Sequence, residues 1–331
     1  VTAIDRCWAG AFVVLWSSGF IGAELGTRHA PALTVLNWRF LLLAAPALAW
    51  LLWRRRRWSV RDLAVHVAIG VLAQGGYLYG VVLGTQLGVD PGTAALIASL
   101  QPVVTAVAAF AALGEPVRTA QIGGLAIGLA GVALVVSADF SGGGASVWAY
   151  ALPVAAMLSL VTATVFERRT GPGGLGPLDA LAVQFLTGAA AFASLAAPVG
   201  QFAPPTSTGF WVAVVWSAVL SGVGGYGAYW AVVRRNGATA AATLLYLTPP
   251  ATMLWAWAMF GTPVAPVAWL GLAIALTGVA LTLSRANESG DREIRSARNR
   301  RGARRRHRGP AGRTAPARPL AGSRARTARR W

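Results

Sequence analysis

Residues 123–137, GGLAIGLAGVALVVS, return at 270–284 as LGLAIALTGVALTLS, identical at ten of fifteen positions with an offset of 147. The same offset aligns Gln101-Pro102-Val103 with Thr248-Pro249-Pro250, Gly114-Glu115-Pro116-Val117 with Gly261-Thr262-Pro263-Val264, and Tyr79-Gly80 with Tyr226-Gly227. Self-similarity of this length marks a duplicated unit fused in tandem. If each copy crosses a membrane an odd number of times, the second must lie upside down relative to the first. That is the architecture of many secondary transporters.

Composition puts the chain in a membrane. Hydrophobic residues are 55% of the 331 and charged residues 12%, with a mean hydropathy of +0.55, too apolar for a soluble domain of this length. A membrane-crossing helix needs about 17–25 mostly apolar residues. Runs of that kind lie at about 7–24, 31–53, 63–83, 91–113, 120–138, 147–166, 178–198, 209–233, 237–260 and 264–284. The expected fold is an all-α integral membrane protein of ten transmembrane helices, arranged as two inverted five-helix repeats. Residues 1–140 form the first repeat, 141–284 the second, and 285–331 a disordered arginine-rich tail.

Arginine placement tests the inversion separately. Arg6, Arg54, Arg55, Arg56, Arg57, Arg61, Arg118, Arg168, Arg169, Arg234 and Arg235 all fall in one set of connections, and Arg28 stands alone in the other. By the positive-inside rule the first set and both termini are cytoplasmic. The expected location is the inner (plasma) membrane, with multiple passes. The first apolar run lacks a small-residue cleavage signature and reads as a retained anchor, not a removed signal peptide.

Several classes of chemistry are disfavoured. Cys7 is the only cysteine, which rules out an intramolecular disulfide or a cysteine-based metal site. His29, His66 and His307 lie far apart in sequence, and no Ser–His or His–acid set falls within the spans. The reading is therefore a protein that is not an enzyme, with no metal and no cofactor.

WSSGFIGAEL in the first span, NWRF entering the second, LQPVVTAVAAFAALGEPV in the fourth and the glycine-rich GGLAIGLAGVALV of the fifth resemble the EamA type of the drug/metabolite transporter superfamily. The resemblance covers about residues 7–284. Thr262 departs from it, standing where the family often repeats the glutamate of Glu115. The resemblance implies efflux of amino acids or related small metabolites through a central cavity between the halves.

The candidate site residues come from the spans themselves. Pro102 lies inside the fourth span, and Pro249 and Pro250 at the matching place in the ninth. Proline within a helix removes one ladder hydrogen bond, and paired interruptions near the midplane mark a transporter site. The alternative is a locally satisfied packing kink. Arg39 lies about 12 Å from the outer end of the second span at 1.5 Å per residue. Insertion scales charge about 2.5–3.5 kcal/mol for arginine near the bilayer centre, so such a residue faces a cavity or a partner. It can hold a substrate carboxylate through its fork of donors, or clamp helix carbonyls or Glu24. Gln74, Tyr77, Tyr79, Gln101, Tyr226, Trp230 and Tyr246 are further cavity candidates, suited to a small amphipathic solute. Tyr77 and Tyr79 are two apart and cannot both face the axis. Gly124, Gly128 and Gly131, mirrored by Gly271, Ala275 and Gly278, read as small-residue packing faces for the fifth and tenth spans.

Arginine dominates the tail: residues 285–331 carry 16 arginines against 3 acids, whereas residues 1–284 carry 13 against 8. The expected partners are a small-molecule solute and the lipid bilayer, with anionic lipid for the tail, no specific nucleic acid and a possible homodimer. A competing class is a non-transporting scaffold whose basic tail recruits partners.

Overall fold

The computed structural model describes residues 2–115, 119–141, 145–171, 173–262 and 264–277. Pro116, Arg118, Gly278 and the basic tail, all used above, lie outside the described residues. Among those described there is no strand. Eight helices are long and apolar enough to cross a membrane. They are α1 Ala3–Thr27, α2 Ala32–Arg54, α3 Val60–Gln86 and α4 Pro91–Leu113. After them come α5 Thr119–Ser141, α6 Val147–Thr170, α7 Pro177–Ala196 and α8 Thr208–Asn236. A ninth, α9, is broken into Ala238–Leu245 and Thr248–Phe260, and a shorter apolar helix, α10, covers Pro266–Thr277. In a bilayer every backbone polar group must be satisfied internally, which makes helices the natural outcome of these apolar runs. Large apolar side chains such as Leu42, Val212, Val219 and Leu254 face outward, as lipid requires.

Helix starts follow local chemistry. Thr2 and Asp5 form a capping box on α1, with Asp5 N donating to Thr2 Oγ1 at 3.2 Å and Thr2 N to Asp5 Oδ2 at 2.9 Å. Ser59 caps α3, and Asp90, followed by Pro91, caps α4. Gly114 and Gly261 end α4 and α9 at φ of +70° and +68°. They are repeat equivalents, and only glycine takes that left-handed turn without strain.

The packing partners exchange under the repeat offset. Helix α1 packs on α8 as its equivalent α6 packs on α3, and α1 packs on α9 as α6 packs on α4. The pairs α2–α7 and α4–α9 join equivalents directly. The α2–α7 seam carries Phe40 stacked on Phe192 at 5.5 Å, with Gly188 giving the Phe40 ring its space. The equivalents α5 and α10 meet at Gly131, where an added Cβ would lie 2.5 Å from the Ala275 nitrogen and the Gly271 oxygen. That close approach is the small-residue packing expected from the sequence.

Polar links tie the arginine-rich helix ends together. Arg235 Nε pairs with Asp5 Oδ1 at 2.8 Å, joining the end of α8 to the start of α1. Asp179 at the start of α7 accepts from Trp50 Nε1 at 2.9 Å and faces Arg54 Nε at 3.5 Å. Arg168 at the end of α6 pairs with Glu115 at 3.2 Å, and the loop after α6 lies against Asp62 at the start of α3. Helix α6 thus ends at the face where α1 begins, so these repeat equivalents run in opposite directions.

Candidate functional site

Two matching defects in helix geometry frame the interior. Residues Val71–Gly76 of α3 and Ser217–Gly225 of α8 are π-helical, and the offset of 147 carries the first segment into the second. A π segment widens the helix and re-aims its side chains, and such segments gather at functional sites. A second pair of defects lies in α4 and α9. Regular helix stops at Ser99 and restarts at Gln101 in α4, and it stops at Leu245 and restarts at Thr248 in α9. These breaks sit just ahead of Pro102 and Pro249, as the missing proline amides require.

A cavity of about 60 Å³ lies between α1, α2, α3 and α8. Arg39, Gln74, Tyr77 and Tyr226 line it, together with Trp16, Phe20, Ser217 and Ser221. At about 10–15 Å³ per water it holds roughly four waters, so a metabolite needs the helices to part. Arg39 is 5% exposed. Its Nη2 donates to Ser221 Oγ at 3.3 Å, while its Nε has no hydrogen-bond partner. The guanidinium stands 5.7 Å from the Phe40 ring centre. The clamp to Glu24 does not form, because Glu24 accepts from Arg28 Nε at 2.8 Å. Arg39 is therefore a buried cation with a spare donor and no ion-pair partner among the described residues. An uncompensated buried charge is costly, and a bound anion would relieve that cost.

Gln74 lines the same cavity from α3. Its Nε2 donates to the Tyr226 hydroxyl at 3.0 Å and reaches Gln184 Oε1 at 3.4 Å. Trp16 meets Tyr226 edge to face at 5.6 Å. The cavity thus combines the positive charge of Arg39, the amide of Gln74 and phenol of Tyr226, and aromatic faces.

A smaller space of about 20 Å³ lies at the interrupted helices, lined by Gln101 and Pro102 with Ala98, Ser99, Leu245 and Thr248. It shares Trp16, Phe20 and Tyr77 with the larger cavity, so those three aromatics form the partition. Thr248 Oγ1 is buried there without a partner, and Ser17 Oγ reaches the Thr248 carbonyl at 3.4 Å.

The remaining sequence candidates line neither space. Tyr79 packs against the α2–α7 seam, 6.4 Å from Phe192. Tyr246 is buried against Val103 and Leu276, its hydroxyl unpartnered. Pro249 is buried beside Thr248, and Trp230 is half-buried on α8. Sequence reasoning missed Ser217, Ser221, Trp16 and Phe20. One signal was present: Ser221 stands 147 positions after Gln74, a polar pair at equivalent places in two apolar helices.

Comparison with known proteins places the chain. The profile described as "EamA-like transporter family" matches residues 6–137 and again 147–284. A protein of Streptantibioticus cattleyicolor named "Probable terminal-alkyne amino-acid exporter" is 30% identical over 296 residues, covering 85% of this chain and 93% of that protein. The "Probable amino-acid metabolite efflux pump" of Salmonella typhimurium is 25% identical over 157 residues. That match covers 47% of this chain and about half, 51%, of the relative. A solved structure titled "Crystal structure of protein" superposes with a TM-score of 0.58 at 20% identity, covering 87% of this chain and 99% of that one. That likeness concerns the fold alone. With both halves matched by one profile, the chain belongs to the EamA-like transporter family.

Proposed function

We propose that this protein exports amino acids, or closely related small metabolites bearing a carboxylate, across the inner membrane by alternating access. The observation that carries the reading is Arg39, buried at the cavity wall with a free Nε and no acidic partner among the described residues. A planar guanidinium presents the donor fork that a carboxylate fits. The aromatic partition of Trp16, Phe20 and Tyr77 suits the apolar part of such a solute. The relatives named as amino-acid exporters support the substrate class.

The opposed repeats support alternating access. Two inverted halves rocking about a fixed site would expose it first to one side and then to the other. The arginine-rich face is assigned to the cytoplasm by the positive-inside rule, and both termini with it. Pro102 and Pro249 mark the helix breaks that let α4 and α9 flex during the motion.

The test is efflux of candidate amino acids from loaded vesicles. Wild type should release them, Arg39→Ala should not, and removal of residues 285–331 should leave flux intact. Equal flux in wild type and Arg39→Ala would take Arg39 out of the site. No flux of any solute, with partner recruitment lost on removing the tail, would favour the scaffold.

A further inference from the structure

Away from the cavity, two carboxylates lie near one another with no ion-pair partner among the described residues. Asp90 caps α4, its Oδ1 accepting from Gly92 N at 2.7 Å and Thr93 N at 3.2 Å. The Asp90 backbone amide in turn donates to Oδ2 of Asp139, near the end of α5, at 3.3 Å. Tyr150, in the first turn of α6, is 6% exposed and its hydroxyl lacks a hydrogen-bond partner of full geometry. That hydroxyl is directed at the Asp139 carboxylate, and the 2%-exposed Thr93 faces the same carboxylate.

The other charged neighbours do not neutralise the pair. Glu24 of α1 adds negative charge near Asp90, and Arg28 is already bonded to Glu24. Helix α9 contributes the apolar Met253 against Gly92. No ion pair among the described residues reaches Asp90 or Asp139.

We propose that Asp90, beside the Asp139 carboxylate, forms a proton-binding site, in which a proton on Asp90 removes the repulsion between the two side chains and holds the adjoining ends of α4, α5 and α6 together. Two neighbouring carboxylates in a poorly solvated place do not both ionise freely. Burial first, and the Asp139 charge second, push the Asp90 carboxyl up to about 6, against the pull of the Gly92 and Thr93 amides. When the ends part and water enters, that carboxyl returns toward its ordinary value of 3.8. The packed arrangement therefore binds the proton more tightly than the parted one. It gains stability as pH falls toward the ordinary value and loses it as pH rises through about 6. With the proton gone, the two charges repel and loosen the joint between the last helices of the first half and the first helix of the second. In the orientation proposed above this end faces the exterior, so external acidity would latch it. The proton site itself depends neither on that orientation nor on the solute.

The direct test is infrared difference spectroscopy of the full-length protein in lipid between about pH 7.5 and about pH 5, a window spanning the raised carboxyl. A protonated-carboxyl band should grow with a midpoint near 6 and vanish in Asp90→Asn, which keeps the helix cap. A midpoint near the ordinary carboxylate value, or an unchanged band in both Asp90→Asn and Asp139→Asn, would overturn the proposal. Thermal unfolding supplies the second reading. The wild-type midpoint should be higher at the acid end of the window, and Asp90→Asn should shrink that difference. A wild-type midpoint independent of pH, or an equal pH effect in wild type and Asp90→Asn, would count against the latch. Neither measurement needs flux, so failure here is separable from failure of the exporter reading.

Discussion

Gln74 and Ser221 hold equivalent places in the two halves, 147 positions apart, and both line the same cavity. Each lies within a π-helical segment. Gln74 donates to Tyr226 while Ser221 accepts from Arg39. A symmetric backbone thus carries an asymmetric set of polar groups, and a solute with unlike ends can lie in one orientation.

Arg39 separates stability from function. Replacing it with Met removes a buried cation that has no ion-pair partner among the described residues, so thermal stability should hold or rise. Solute affinity should fall by about 10- to 100-fold, the loss expected for a charge-assisted hydrogen bond of about 1.5–3 kcal/mol. Unfolding midpoints and vesicle uptake measured on the same preparation check both parts.

Ser221 acts through Arg39. Ser221→Ala removes the acceptor at 3.3 Å and should weaken solute affinity by about two- to tenfold, within the net worth of about 0.5–1.5 kcal/mol for a hydrogen bond. In an Arg39→Met background the same change should have almost no effect. Strict additivity in this double-mutant cycle would show that the two residues act independently.

The apolar runs made most of the helices legible. The run at 31–53 became Ala32–Arg54, and that at 178–198 became Pro177–Ala196. Pro102 and Pro249 likewise predicted the breaks that appear at Leu100 and at Tyr246-Leu247. Side-chain direction was the illegible part, because a helix apolar on every side gives no rotation. Tyr79 and Tyr246 therefore turned into packing seams, while Trp16, Phe20 and Ser221 turned inward. The π segments shift the register further, and a string of small and apolar residues does not announce them.

Gly131 tests the α5–α10 contact. An alanine Cβ there would meet backbone on the opposing helix at 2.5 Å. The helices would have to separate, and Gly131→Ala should destabilise by about 1–3 kcal/mol, the usual penalty of overpacking. Gly123→Ala, which meets nothing within 4 Å, should not. A lowered midpoint in the first variant and none in the second is the expected result.

The arginine distribution predicts the sidedness. In a Cys7→Ser background, a cysteine at exposed Val199 should react with a membrane-impermeant maleimide in intact cells. A cysteine at Arg56 should react only after lysis. The reverse pattern would invert the assignment of the two faces.

Arg39 is proposed to hold the carboxylate of the transported solute. Flux of an amino acid and of its decarboxylated amine, compared in vesicles carrying wild type or Arg39→Ala, tests it most directly. Wild type should transport the acid and discriminate strongly against the amine, and Arg39→Ala should lose the acid flux. Equal transport of acid and amine by wild type would contradict it.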